Sequence, residues 1–456
     1  MNPKVIIVGG GISGLTIAHY LSSKKVYPVA VLESTNRFGG VIRTLRNEAS
    51  YIEAGADAFD GKELAMLDLC SELGLQNELL EYPSTLDKNF IFQKGKVFSI
   101  NISRPFEIFK NPILGLKTRM RLLFELAVPP RKKAADESVA DFVRRRFGRA
   151  ILEDLVRPLA QGVLMGEPER LSLREYFPQW QKAEQREGGI GRSFLRNKHA
   201  EEKPQPFFAI RGGMDCLISA LSEKLERTDL MLNSKVVSLE CGEGWKVVLA
   251  DGRLIQSKAV CLAMPAHAAA KLLTNCTPSL AAELDKIRYD SIATVNMMFR
   301  REEFPGAISK NGFLVPGRGE NWPYAALKLI GATEDGKLIR CRAFISKNFQ
   351  SQMLTWGDEE IKKEILRHLA DVLHILARPV WISIEHYNNA LAQYQTGHDS
   401  FVSNVDPILQ KLPGLFLAGN GYHGFGISDC VREARLTARQ MNDYLETCVE
   451  TSARIE

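Results

Sequence analysis

Two kinds of pattern alternate along the chain. VIIV at Val5–Val8 is wholly apolar, SGLTIAHYLSS after it is a plausible helix, and VAVL follows, ending at Glu33. A short, continuous apolar run bounded by turns suits a parallel strand buried on both faces. The same signature returns in AVCLA at 259–263 and in LFLAG at 415–419, where a glycine turn leads into a closing helix expected from Ile427 to about Leu445. Between them, residues 231–257 alternate apolar and polar with turns at Gly242–Gly244 and Asp251–Gly252, which predicts a small antiparallel meander. From about 284 to 404, strand-like TVNMMF, RCRAFIS and WISIEHY accompany one clear helix, DEEIKKEILRHLADVLH, so a separate antiparallel sheet with a covering helix is expected. The polar stretch RNKHAEEKPQP, 196–206, reads as a linker, and no internal repeat is visible.

The first strand runs into GGGISG. Gly9, Gly11 and Gly14 fit G-x-G-x-x-G, with Gly10, Ile12 and Ser13 between them. In this pattern the first glycine makes the tight turn, the second admits a pyrophosphate close to the backbone, and the third lets helix and strand pack. The helix N-terminus would face the phosphates. Glu33 lies about 20 residues further on, where a carboxylate can accept from a ribose hydroxyl. Strand, turn, helix, strand and acid together predict a dinucleotide site, and the turn alone leaves NAD and FAD open. A second glycine pair, Gly39 and Gly40, follows in STNRFGG after Ser34, and the turn Gly55, Ala56, Asp57, Ala58 comes soon after. Late in the chain, GNGYHG repeats the spacing at Gly419, Gly421 and Gly424, but no further strand and acid follow. That segment reads as a strand rejoining the first sheet.

The expected class is α/β (α+β overall). A Rossmann-like, discontinuous nucleotide domain is drawn from 1–85, 204–275 and 405–450, an antiparallel-sheet substrate domain from 86–98 and 276–404, and a helical insertion from 99–203.

Composition narrows the setting. The 456 residues are 45% hydrophobic and 25% charged, as in ordinary globular proteins. Eight scattered cysteines without C-x-x-C argue for a reducing, cytoplasmic compartment without disulfides or zinc. No signal peptide and no membrane-spanning run are expected. A net charge of +5 gives no reason to invoke nucleic acid. Residues 104–133 depart from the average, with eight Lys/Arg against two Glu interleaved with Phe106, Ile108, Phe109, Ile113, Leu114, Leu122, Leu123 and Phe124. Such a segment suits the surface of an anionic membrane, against the plainer reading of an amphipathic domain surface.

Several ordered motifs resemble the oxygen-dependent, FAD-containing porphyrinogen oxidases of haem biosynthesis, within the flavin amine oxidase superfamily. They are GGGISG with Glu33, RFGG, DESVADFVRRRFG with LVRPLAQGVLMGEPERLSLREYFPQ, FFAIRGGMDCLISAL, GFLVP at Gly312–Pro316, AQYQTGH at 392–398 and AGNGYHGFGISDC at 418–430. The resemblance covers almost the whole chain. It implies that Gly9–Gly14 take the pyrophosphate of FAD and Glu33 the adenosine ribose, while Gly39, Gly40 and Gly55–Ala58 line the nucleotide. Val236 would meet the adenine. Gly419, Asn420, Phe425, Gly426 and Ile427 would lie beside the ribityl chain and isoalloxazine. The flavin should be non-covalent, since GNGYHGFG carries no cysteine.

The implied reaction removes six electrons from protoporphyrinogen IX or coproporphyrinogen III, by hydride transfer from a bridging carbon to the flavin, with O2 as acceptor and peroxide as product. No catalytic side chain is required. Substrate contacts are expected at Gly312, Phe313 and Leu314, with Lys88 and Asn89 as polar contacts. Phe313 and Leu314 also read as plain core strand, and Lys88 as a surface charge. His398 reads first as a hydrogen-bonded structural histidine and second as a proton shuttle. Ser172 and Asp429 read as helix-cap or turn residues. One departure stands out: where some family members carry an arginine for a substrate propionate, this chain has Asn89, which cannot form a bidentate charged pair. An amine oxidase is the alternative enzyme, although Asn296 stands where such enzymes commonly carry a lysine. A carotenoid or squalene desaturase-like enzyme and a flavin-stabilised scaffold also remain. A homodimer and peripheral contact with the inner face of an anionic membrane complete the expected partners.

Overall fold

The computed structural model describes residues 5–23, 27–47, 50–82, 89–101, 105–131, 135–196, 206–304, 312–346 and 351–453. Lys88, Lys132, Lys133 and most of the 196–206 stretch lie outside these. The chain divides into two compact units, one of 1–82, 205–288 and 398–456, the other of 83–204 and 289–397.

The first unit is built on a five-stranded sheet in the order 229–231, 29–32, 5–8, 259–263, 415–418, with every pairing parallel. The two central apolar runs explain this choice, since Val5–Val8 and Val29–Leu32 are buried at every position and only a sheet covered on both faces accommodates that. The helix Ile12–Ser23 packs against the terminal helix Ile427–Ala453, which extends eight residues beyond the expected end. The predicted meander is present as 236–242, 244–249 and 254–257. The late glycine segment does return to the parallel sheet, as 415–418 pairs with 259–263.

The second unit holds a seven-stranded sheet in the order 381–393, 288–300, 338–346, 326–332, 312–316, 89–93, 96–100. From 288–300 across to 96–100 the pairings are antiparallel except between 312–316 and 89–93, which run parallel. The helix Asp358–Leu373 covers one face through Ile361, Ile365 and Leu369. The opposite face of the strands 89–93 and 312–316 meets helices of the 139–163 region through Ile91, Phe313, Val315, Val143 and Leu159.

His368 sits on the covering helix, 5% exposed, with Nδ1 2.9 Å from the Tyr324 hydroxyl. Burial pushes its pKa down to about 4, against an ordinary value of about 6.5. The imidazole is thus neutral when folded and binds a proton more readily when unfolded. Its contribution to stability is complete above about pH 6.5 and is lost as pH falls toward 4, by at most about 3 kcal/mol. Thermal unfolding between pH 7 and pH 5 should show this slope, and His368→Gln should flatten it; equal slopes in both proteins would refute the assignment.

The basic segment is partly consumed by the fold. Arg119 donates to the carbonyls of Leu114 and Asn111, and Arg121 to those of Arg145 and Arg146. Leu114 is buried, with Ile108, Ile113 and Leu122 packed against the same core. Leu116, Met120, Leu123 and Phe124 instead face outward, at 76%, 51%, 53% and 61% exposure. Behind them lies a buried ionic network. Arg146, fully buried, donates from Nε to Glu125 and from Nη1 to Glu184, both at 2.7 Å. Glu125 also accepts from the amides of Ile190 and Gly191. Arg145 bridges Glu184 and Glu137. Burial opposes ionisation of Glu184, but the bonds from Arg145 and Arg146 outweigh it and hold the carboxyl below its ordinary range.

Candidate functional site

In the five-stranded sheet, the strand 5–8 has its sequence neighbour 29–32 on one side and the distant strand 259–263 on the other. Crevices at the carboxyl ends beside such a switch point are where open parallel sheets bind ligands. Gly9, Glu33 and Gly419 each directly follow a strand, so the topology carries all three to this edge.

The glycines there have different jobs. Gly9 has φ +114°, and a Cβ would stand 2.2 Å from the Ala263 carbonyl oxygen. A Cβ on Gly14 would stand 2.0 Å from the Gly9 carbonyl oxygen, so this glycine lets the helix, with Ile12 and Ser13 in its first turn, close onto the strand. On Gly10 a Cβ would strike the Phe38 ring at 2.5 Å. Gly11 differs from all of these, because a Cβ there would meet nothing within 4 Å. Its backbone borders open space at the N-terminus of a twelve-residue helix, a cradle with the donors and dipole for an anion.

Glu33 closes the cradle. Its Oε2 accepts from the Gly10 amide at 2.8 Å, and its Oε1 from the Thr35 amide at 2.8 Å and the Ser34 hydroxyl at 3.3 Å. Two backbone donors thus fix the carboxylate. The Gly39 amide donates to the Gly10 carbonyl. Arg37, which the sequence did not single out, donates to the carbonyls of Phe38, Gly40 and Ile42 and ties down the glycine pair. Its only sequence signal was its place in NRFGG. The Ser234 amide donates to the Glu33 carbonyl, two residues ahead of buried Val236.

Gly55, Ala56, Asp57 and Ala58 link the short strands 51–53 and 59–60, with Asp57 buried. A Thr44–Glu53 pair, also unforeseen, braces the neighbouring turn: Glu53 accepts from Thr44 and from the Met214 amide. Gly419, with φ +125°, and Asn420 follow the last strand. Phe425 is 44% exposed, the Gly426 amide donates to Asp429, and Ile427 is buried at the start of the terminal helix. His398 is buried and donates from Nε2 to the Tyr422 carbonyl at 3.1 Å. Ser172 caps its helix by accepting from the Glu175 amide, as the sequence suggested.

In the second unit, Phe313 stands opposite Asn89 in the parallel pairing, and both are buried. Gly312 begins the strand with φ +143°. Leu314 lies on the other face, in the core beneath the covering helix. Asn296 is fully buried, and its Oδ1 accepts from Arg342 Nε at 2.6 Å. Among the described residues no cluster of three or more His, Cys, Asp or Glu suits a metal ion, and no helix is long and apolar enough to cross a membrane.

A parallel sheet with a glycine cradle, an amide-held carboxylate and a returning glycine turn defines a dinucleotide-binding fold. Residues 12–442 match the model of the flavin containing amine oxidoreductases, and the chain belongs to that family. It is 25% identical to coproporphyrinogen III oxidase of Bacillus subtilis, over 97% of this chain and 98% of that protein. It is 29% identical to protoporphyrinogen oxidase of Bos taurus, again over 97% and 98%. Among solved structures, a protein from Exiguobacterium sp. 255-15 superposes with a TM-score of 0.84 at 24% identity, over 97% of this chain and 98% of that one. Cyclohexylamine oxidase from Brevibacterium oxydans gives 0.70 at 17%, over 98% and 100%. At these identities the two structures share the fold.

Proposed function

We propose that this flavoprotein oxidises a porphyrinogen, protoporphyrinogen IX or coproporphyrinogen III, to the porphyrin in haem biosynthesis. The observation that carries the reading is the span of the resemblance: relatives named for both activities match the sheet unit as well as the nucleotide unit. The alternative, another amine oxidase-type oxidoreductase, draws on the family match and the shared fold, which the porphyrinogen reading satisfies equally.

The flavin is proposed to be FAD, held non-covalently. The residues present fit it. The open face of Gly11 receives the pyrophosphate and the helix N-terminus orients it. Glu33, held by two amides, presents its carboxylate toward a ribose. Gly39, Gly40, Gly55–Ala58, Val236, Gly419, Asn420 and Phe425–Ile427 complete the lining, and the sheet of the second unit receives the macrocycle. Bound flavin supplies a two-electron acceptor, with O2 as terminal oxidant and hydrogen peroxide as product. The protein supplies binding, orientation and exclusion of water. Buried Phe313 offers an apolar ring to a flat substrate, and Asn89 a polar contact.

The purified yellow protein should raise porphyrin fluorescence from one or both porphyrinogens in air, with peroxide released in step and no rise without enzyme. A protein that keeps its flavin and turns over neither substrate overturns the reading.

Peripheral attachment to an anionic membrane belongs to the same proposal, now centred on the outward face of Leu116, Met120, Leu123 and Phe124. Arg131 is less available than its charge suggests, since it pairs with Glu137 at 3.4 Å. Leu123→Ser with Phe124→Ser should therefore reduce co-sedimentation with phosphatidylserine-containing vesicles more than Arg131→Gln. Equal binding by all three proteins excludes this surface.

A further inference from the structure

The two faces of the seven-stranded sheet differ sharply. Beneath the covering helix it presents Val295, Met297, Leu327, Cys341 and Ala343. On the other face, one level of the sheet reads across five adjacent strands as Asn296, Arg342, Lys328, Phe313, Asn89, each directly opposite the next. Residues so paired share a face and stand about 5 Å apart. Arg342 is 1% exposed and Lys328 7%. Asn296 holds the Arg342 guanidinium by its Nε at 2.6 Å. The Lys328 ammonium lies 5.3 Å from the centre of the Phe313 ring, and the Arg342 guanidinium 5.7 Å from that of Phe344. Each cation also engages further neighbours in the chain.

Opposed like charges weaken a sheet, and burying them adds to the cost. Two cations and the Phe313 ring on one level, with the Phe344 ring beside Arg342 along its strand, match a flat, apolar ligand that carries carboxylates. The rings suit the macrocycle, and the planar guanidinium, oriented by Asn296, suits a carboxylate in bidentate fashion.

We propose that Lys328 and Arg342 are the carboxylate anchors of the substrate site, taking propionates of the porphyrinogen in place of the arginine absent at Asn89. The inference rests on the porphyrinogen reading above and assigns the specificity-determining charges within it. It also makes Asn296 a positioning residue for Arg342.

The test uses the flavin-loaded full chain with Lys328→Met and Arg342→Gln. Two quantities are read: steady-state kinetics on both porphyrinogens, and the affinity for coproporphyrin III and for its tetramethyl ester by fluorescence titration. Each substitution should raise KM and weaken binding of the free acid about tenfold, the scale of one charged hydrogen bond. The affinity for the ester should not change, and kcat should stay within about threefold. Variants that lose acid and ester affinity equally, or neither, overturn the anchors while wild-type turnover leaves the proposed function standing. A wild type that neither turns over porphyrinogen nor binds porphyrin overturns both. Should the variants fail to fold, the charge-retaining Arg342→Lys decides. It keeps the cation without the bidentate fork, so it should weaken binding of the acid relative to the ester, and an unchanged ratio rejects the role.

Discussion

Gly11→Val should give a folded but colourless protein. The backbone at Gly11 lies outside the left-handed region, and a Cβ there meets no protein atom within 4 Å. The side chain therefore projects into the space above the turn, where the pyrophosphate is proposed to lie, rather than into the fold. Flavin affinity should fall at least about a hundredfold, on the order of 2.7 kcal/mol. The variant should unfold at nearly the temperature of the flavin-free wild type. Gly14→Ala is the contrasting case: its Cβ would stand 2.0 Å from the Gly9 carbonyl oxygen, so it should lower the unfolding temperature whether or not flavin is present. Absorbance near 450 nm after desalting, read beside thermal unfolding, separates the two. A Gly11→Val protein that stays yellow would show that this turn does not hold the cofactor.

The second large effect is structural. Arg146→Ala removes a fully buried guanidinium and leaves Glu125 and Glu184, each nearly inaccessible, without their shared cation. Breaking one side of a buried ion pair costs about 3–5 kcal/mol, because the remaining charge stays desolvated. In a unit of this size the apparent Tm should fall on the order of 10 °C. Adding Glu125→Gln should recover part of the loss. The amide removes one stranded charge while its oxygen still accepts from Ile190 or Gly191. A single variant within about 2 °C of wild type, or a double variant less stable than the single, contradicts this account.

The network also shows where the sequence stops being legible. Residues 104–133 carry a clear excess of basic charge, which read as one surface. In the fold Arg119 and Arg121 are spent on carbonyl groups, Leu114 is interior, and Glu125 is among the most deeply buried carboxylates. Local charge count cannot separate these fates, because they depend on partners 21 to 66 residues away in the chain: Arg146, Glu184 and Gly191. The Lys328–Arg342 level escaped notice for the same reason. Neither residue stands in a motif, and only strand register makes them neighbours.

What the sequence determined by itself was the chemistry encoded over short spans. The parallel strands follow from runs that no half-exposed sheet could tolerate, and the cradle from glycines whose spacing is that of a single turn. Glu33 follows from the length of one helical crossover. These are local constraints, set by sterics and by burial of four or five residues at a time. The tertiary structure alone decided which glycine is open and which are packed, since Gly9 and Gly14 are defined by the carbonyls of Ala263 and Gly9 that approach them. It alone turned Phe313 to the face shared with Asn89 and Leu314 to the opposite core. It alone set two cations side by side, because the pairing of distant strands, with its period of two, chooses the face on which each side chain stands.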